Sequence, residues 1–123
     1  MGDWNRDRRV EPRKKVMAFT PVYNLTGNAL LGYLGDLTMQ GAQVIGEKPL
    51  EAGARVILTF TLPDDLPEIK IKHMDIPAKV MRCEADEEGK GSYKVGVLFL
   101  ELSAENEAVI RAMLERYHFR YKR

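Results

Sequence analysis

The 123-residue chain has one cysteine, one tryptophan and two histidines, and each scarcity removes a class of function. Cys83 alone cannot close an internal disulfide, which fits a reducing, cytoplasmic setting. It falls on a predicted strand with no histidine nearby and reads as a small packing residue, not a reactive thiol. His73, in a predicted loop, and His118, after a predicted helix, have no companion at metal-ligand spacing. No nucleophile, base and orienting group come together, so neither a metal centre, a cofactor nor an enzyme is expected. Charge excess is missing too: 19 Lys and Arg stand against 18 Asp and Glu, a net charge of +1. A general DNA or RNA binder carries a strong basic surplus. Aromatic residues make up 8% of the chain and fall mostly at core-phased positions, which argues against a stacking platform for single strands. No apolar run approaches the ~20 residues of a membrane-spanning helix. The N-terminal segment around Trp4 alternates in charge and has no apolar signal-peptide region.

What is present is ordinary for a soluble globular protein: 45% hydrophobic and 30% charged residues, in a length that supports one domain with a single core. Residues 1–14 are polar and charged without an apolar period and read as an exposed, mobile arm. From Val16 the pattern turns to strands. Val16–Tyr23 is apolar and β-branched, and Asn24–Asn28 supplies a turn. Leu30–Leu37 and Ala42–Ile45 follow. Val56, Leu58, Phe60 and Leu62 then alternate with Arg55, Thr59 and Thr61, a half-buried strand of period two whose outer face only Ile57 interrupts. Pro63–Pro67 breaks that strand, and Ile69 and Ile71, alternating with lysines, suggest an edge extension. Ile76–Glu84 places Ile76, Ala78, Val80 and Arg82 on one face and Lys79, Met81 and Cys83 on the other. Asp86–Gly91 is a polar hairpin, after which Tyr93, Val95, Val97 and Phe99 line one face of a last strand. Short strands at regular spacing point to an antiparallel barrel or sandwich.

The period then changes. Ser103 can cap a helix, with Glu105 and Glu107 in its first turns matching the helix dipole. Val109, Ile110, Met113, Leu114 and Tyr117 form one stripe at helical spacing, which packs the helix on the barrel. The alternative use of the helix is an outer side that meets a partner or a second copy. A basic tail, 119–123, ends the chain.

Two short motifs stand out. Arg8-Arg9-Val10-Glu11-Pro12-Arg13 concentrates guanidinium groups in a segment that Pro12 keeps from being helical. Asp36-Leu37-Thr38-Met39-Gln40-Gly41 puts a carboxylate, a hydroxyl and a glycine where a strand hands over to a turn. Arginine grips phosphate oxygens bidentately and stacks on purines. A carboxylate accepts from a base edge, a hydroxyl holds a loop or reaches a phosphate, and a glycine permits a positive φ and close backbone approach. These residue types suit a compact anionic nucleotide.

Arg9-x-x-x-Arg13 followed by Asp36-x-Thr38-x-x-Gly41 resembles the bipartite signature of PilZ domains, the bacterial receptors for cyclic di-GMP. Gly53–Leu62 is similar to the family's middle strand, and Ile76–Arg82 and Tyr93–Phe99 to its last two barrel strands. The likeness covers about residues 8 to 117. One departure is Thr38, where the family most often has serine; threonine keeps the hydroxyl but adds a methyl group and stiffens χ1. The resemblance implies a six-stranded antiparallel β-barrel with a C-terminal α-helix over residues 15–118. It also implies cyclic di-GMP as ligand, held by Arg8, Arg9, Arg13, Asp36, Thr38 and Gly41, with Asp36 selecting guanine. An arginine directly before the RxxxR motif, as Arg8 is, accompanies binding of a stacked ligand pair in the family. The implied role is a receptor or adaptor whose arm changes conformation on binding and signals to an effector protein in motility, exopolysaccharide production or another surface-related output. The alternative is a module of the same fold that binds proteins and not the nucleotide, a reading that Thr38 keeps open. A homodimer is also left open. Arg82 offers a further arginine on a neighbouring strand, though nothing in its spacing compels a role.

Overall fold

Alternation of apolar and polar residues dictates most of the architecture, because a strand that covers a core must point every second side chain inward. A computed structural model describes residues 15–17, 20–85 and 91–119. Residues 1–14, with Arg8, Arg9 and Arg13, lie outside the described residues, as do 18–19, 86–90 and the tail residues 120–123. The elements in chain order are β1 (Lys15–Met17), β2 (Pro21–Asn24), β3 (Ala29–Leu37), β4 (Gly41–Gly46), β5 (Arg55–Thr61), β6 (His73–Ala85), β7 (Tyr93–Phe99), α1 (Ala104–Arg116) and β8 (Tyr117–Phe119).

Strands β2 to β7 close into a barrel in the order β2-β3-β4-β7-β6-β5, and every neighbouring pair is antiparallel. The six-stranded antiparallel barrel with a C-terminal helix expected from the family resemblance is therefore present. Closure leaves no free sheet edge in the barrel. The interior is filled by Val22, Leu34, Val44, Leu58, Phe60, Ile76, Val80, Val95 and Val97, all buried. Phe60 and Phe99 meet edge-to-face, with centroids 6.2 Å apart and planes at 86°, the geometry that sets a positive ring edge against a negative face.

The segment expected as one strand from Val16 to Tyr23 is divided. Its first part, β1, pairs in parallel with β8, Lys15 opposite Tyr117, outside the barrel; only β2 joins the barrel. The edge extension expected at Ile69 and Ile71 is absent. There the chain turns: Ile69 N–H donates to the Leu66 carbonyl (3.3 Å), Glu68 adopts φ 64°, and Leu66 is buried. Strand β6 instead starts earlier than expected, at His73, because Met74 and Ile76 pack inward while His73 and Asp75 stay exposed. His73 is thus a strand residue paired with Thr61, not a loop residue.

Helix α1 seals the core. Ser103 caps it, its Oγ accepting from Asn106 N (3.0 Å), and Val109, Ile110 and Met113 are fully buried. Burial of three such side chains contributes about 1.5–3 kcal/mol each, far more than the helix's own propensity. Asn106 Nδ2 donates to the Asp75 carbonyl (3.0 Å) and Leu100 N to that of Pro77 (2.9 Å), fixing the helix entry to β6. At the other end the chain becomes extended at Tyr117. The buried Tyr117 hydroxyl donates to Asp65 Oδ1, and Arg116 lies 4.0 Å from the other oxygen of that carboxylate.

Burial first, and then the Asp65 hydrogen bond and charge, push the Tyr117 phenol up to about 12. A folded-state pKa raised above the usual ~10 means that Tyr117 stabilises the fold fully below pH ~10 and loses that contribution as pH rises towards 12. Tyr117→Phe is expected to cost about 1–2 kcal/mol at pH 7, and the gap to the parent protein should shrink between pH 10 and 12. Urea unfolding across that range reads this directly; a gap that stays constant would show that the phenol does not titrate as described.

Candidate functional site

A closed barrel sends alternate side chains to its interior, so a charged residue on a strand must fall on the outward parity or disturb the core. Two charged residues here would fall on the wrong parity if their strands ran unbroken. On β3, Leu34 points inward, and Asp36 two residues later would follow it. The pairing with β4 instead slips: Leu34 lies opposite Val44 and Asp36 opposite Gln43, with Gly35 left over between them. Leu37 then takes the inward place, and both Leu34 and Leu37 are buried three residues apart. On β6, Val80 lies opposite Val97 but Arg82 opposite Gly96, leaving Met81 as the extra residue. The expectation that Arg82 shares a face with Ile76, Ala78 and Val80 is thereby corrected. Arg82 turns out and Cys83 turns back to pack against the core. Bulges re-aim side chains in this way and are over-represented beside functional sites.

Both re-aimed residues line one open cleft of about 460 Å³ on the outer wall formed by β4, β7 and β6 and the end of β3. Asp36 and the loop with Thr38 and Gly41 form one side; Arg82, Glu84 and Lys94 form another; Met81 and Leu98 give it an apolar stretch. Met81 and Leu98 are 53% and 39% exposed. The Arg82 stem runs across Gly96: a Cβ there would lie 3.5 Å from Arg82 Cγ and 3.8 Å from its Nε. Arg82 also pairs loosely with Glu84 at 3.9 Å, both side chains well exposed, a contact of little energetic consequence in water.

The loop between β3 and β4 explains Thr38 and Gly41. Thr38 N donates to the Gly41 carbonyl (2.9 Å). Thr38 Oγ1 accepts from Gln40 N (3.1 Å) and Gly41 N (3.2 Å), and donates weakly to the Gly41 carbonyl (3.4 Å). The hydroxyl is thus committed to holding the turn, a side-chain mimic of a backbone turn. Gly41 does not have the positive φ expected of it; the positive-φ glycines among the described residues are Gly32, Gly53 and Gly91. What requires a glycine is the neighbouring strand, since a Cβ at Gly41 would lie 2.1 Å from the Val97 carbonyl oxygen. Asp36 Oδ1 accepts from Leu37 N (2.9 Å), which fixes the carboxylate at the cleft.

Of the six residues named from sequence, Asp36, Thr38 and Gly41 therefore come together at the cleft, while Arg8, Arg9 and Arg13 lie outside the described residues. Sequence reasoning did not name Lys94, Gly96 or Leu98. Their outward parity on β7 was legible, opposite Val95, Val97 and Phe99. Their nearness to Asp36 was not, because it depends on the non-sequential pairing of β4 with β7. The described charges of the cleft balance, Asp36 and Glu84 against Arg82 and Lys94. Among the described residues no group of three His, Cys, Asp or Glu could hold a metal ion, and no helix is long and apolar enough to cross a membrane.

Comparison with known proteins agrees with this architecture. No curated protein sequence matches the chain. Among solved structures, the fold is similar to the PilZ domain of YcgR from Escherichia coli, determined with c-di-GMP. The TM-score is 0.56 and the identity 19%, over 86% of this chain and 88% of that one. A family model, the PilZ domain, matches residues 7–116, a span that takes in both motifs, the whole barrel and the helix: the chain belongs to the PilZ domain family.

Proposed function

We propose that this protein is a receptor for cyclic di-GMP, which binds in the cleft beside the Asp36–Gly41 loop and is clamped by Arg8, Arg9 and Arg13. The observation that carries this reading is the outward turn of Asp36 onto the cleft that Thr38 and Gly41 also line. The phosphates of a dianionic ligand need cations: Arg82 and Lys94 stand on the wall beside Asp36 and Glu84, and the arginine-rich segment before β1 carries Arg8, Arg9 and Arg13. Chain length permits the meeting. The Thr20 carbonyl accepts from Leu34 N (2.9 Å), two residues before Asp36, and Arg13 is seven residues before Thr20, a span of at most about 25 Å when extended. The bound dinucleotide of YcgR, a protein of the same family and fold, supports the same ligand here.

The roles divide by chemistry. The Asp36 carboxylate accepts from the N1–H and amino group of a guanine, a pairing adenine cannot offer. The arm arginines take the phosphates. Thr38 and Gly41 act through the backbone, the first by holding the turn and the second by letting β4 approach β7. Because a serine would make the same turn bonds, and Thr38 is exposed, its extra methyl leaves the loop intact. Ordering of the arm on the ligand then alters the surface offered to an effector protein, the route by which second-messenger level would reach a motility, exopolysaccharide or other surface-related output.

Each charge-assisted contact contributes about 1.5–3 kcal/mol, so a micromolar complex, about 8 kcal/mol, requires the arm and Asp36 together. Isothermal titration of the full chain with cyclic di-GMP should show micromolar binding, and Arg9→Ala or Arg13→Ala should abolish it with the circular dichroism spectrum unchanged. Absence of heat at tens of micromolar would remove the ligand; parent-like affinity in both variants would remove the arm as the clamp. Thr38 gives a separate check. Thr38→Ser should bind within about threefold of the parent protein, whereas Thr38→Val, which leaves Gln40 N and Gly41 N without their acceptor, should lose about 1–2 kcal/mol of stability and bind more weakly. Equal stability of the valine variant in urea would contradict the role given to the hydroxyl.

A further inference from the structure

We infer that Arg82 is a further ligand-contacting residue, the cation on the barrel wall that faces Asp36 across the cleft; the inference rests on the proposed binding of cyclic di-GMP in that cleft. The β6 bulge is the first support. An unbroken β6 would send Arg82 into a core of valines and leucines, where an unpaired guanidinium cannot stay. The sequence could have avoided the problem with an apolar residue at 82. Instead the strand gives up a regular ladder step at Met81 and leaves that methionine 53% exposed, and the outcome is a guanidinium in the cleft.

Gly96 is the second support. It is the ladder partner of Arg82, and without a side chain there the Arg82 stem lies along the β7 backbone, its Cγ and Nε 3.5 and 3.8 Å from where a Cβ would be. The stem thus passes over Gly96 while the side chain stays 65% exposed, so the guanidinium is open to a ligand in the cleft. Its ion-pair partner, Glu84 at 3.9 Å, is exposed and too loosely placed to hold it against a phosphate or a purine face. A planar guanidinium in this position can accept either contact: a bidentate grip on a phosphate or stacking on a base. Met81 and Leu98 provide apolar surface beside it for the rest of the ring. The chemistry recognised is that of a purine nucleotide with an anionic phosphate, held from the barrel side.

The test compares the parent chain with Arg82→Gln and Arg82→Lys by titration calorimetry with cyclic di-GMP at low and at moderate salt. Arg82→Gln should bind at least tenfold more weakly, with an unchanged melting temperature because the side chain is exposed, and its affinity should fall less steeply with salt than the parent's. Arg82→Lys separates the two contacts: near-parent affinity assigns a charge contact with phosphate, and a loss as large as that of the glutamine variant assigns the planar fork to stacking or bidentate pairing. Either result supports contact with the ligand. Parent-like affinity and salt dependence in Arg82→Gln would overturn the inference while leaving the receptor reading intact. A parent chain that gives no heat would overturn that reading, and the inference with it.

Discussion

The inside–outside parity of a closed barrel is the constraint on which the rest of this protein depends. Six short strands with no free edge leave no slack: each side chain either fills the interior or faces water, and one residue more or less in a strand inverts everything after it. The core satisfies the rule with Val, Leu, Ile and Phe. The site exists because the rule is broken twice, at Gly35 and at Met81. Those two slips turn Asp36 and Arg82 from the interior to the outer wall, on strands that come together around one cleft. A carboxylate and a guanidinium that would each have cost several kcal/mol if buried unpaired instead become polar walls of the cleft.

The same closure explains why Thr38 and Gly41 serve the backbone while Asp36 faces the cleft. Thr38 spends its hydroxyl on two backbone N–H groups of the turn, and Gly41 gives up a side chain so that the Val97 carbonyl can approach. Their chemistry is that of a tight β3–β4 corner that holds Asp36 steady. The helix serves the barrel in a comparable way. Val109, Ile110 and Met113 cover the core, and Tyr117, bonded to Asp65, anchors the point where the chain leaves the helix to pair as β8 with β1. In sequence β1 directly follows the arginine-rich residues 1–14.

Much of this is legible in the sequence. Period-two runs at Arg55–Leu62 and Tyr93–Phe99 and the helical stripe from Val109 to Tyr117 gave elements with nearly correct bounds, because each is long and its alternation clean. Reading failed where tertiary structure decides. A bulge has no fixed residue signature, so Arg82 was phased inward. Ile69 and Ile71 alternate like a strand, yet Leu66 draws that segment into a turn. Gly41 was read for its backbone freedom when its need is steric and comes from a strand 56 residues away. The neighbourhood of Asp36 with Lys94 and Arg82 was beyond sequence reasoning, because it arises from the β4–β7 pairing across the intervening β5 and β6.

The central claim is that the wall of β4, β7 and β6 is the binding face, opened by the two bulges. Mapping of backbone amide chemical shifts as cyclic di-GMP is added tests it residue by residue. The expected result is that the largest changes fall on Asp36–Gly41, on Arg82 and on Lys94–Gly96, with little change at Leu25, Leu30 and Ile57, exposed on the far wall at the turn after β2, the start of β3 and on β5. Changes concentrated on that far wall, with the residues of the cleft silent, would contradict it.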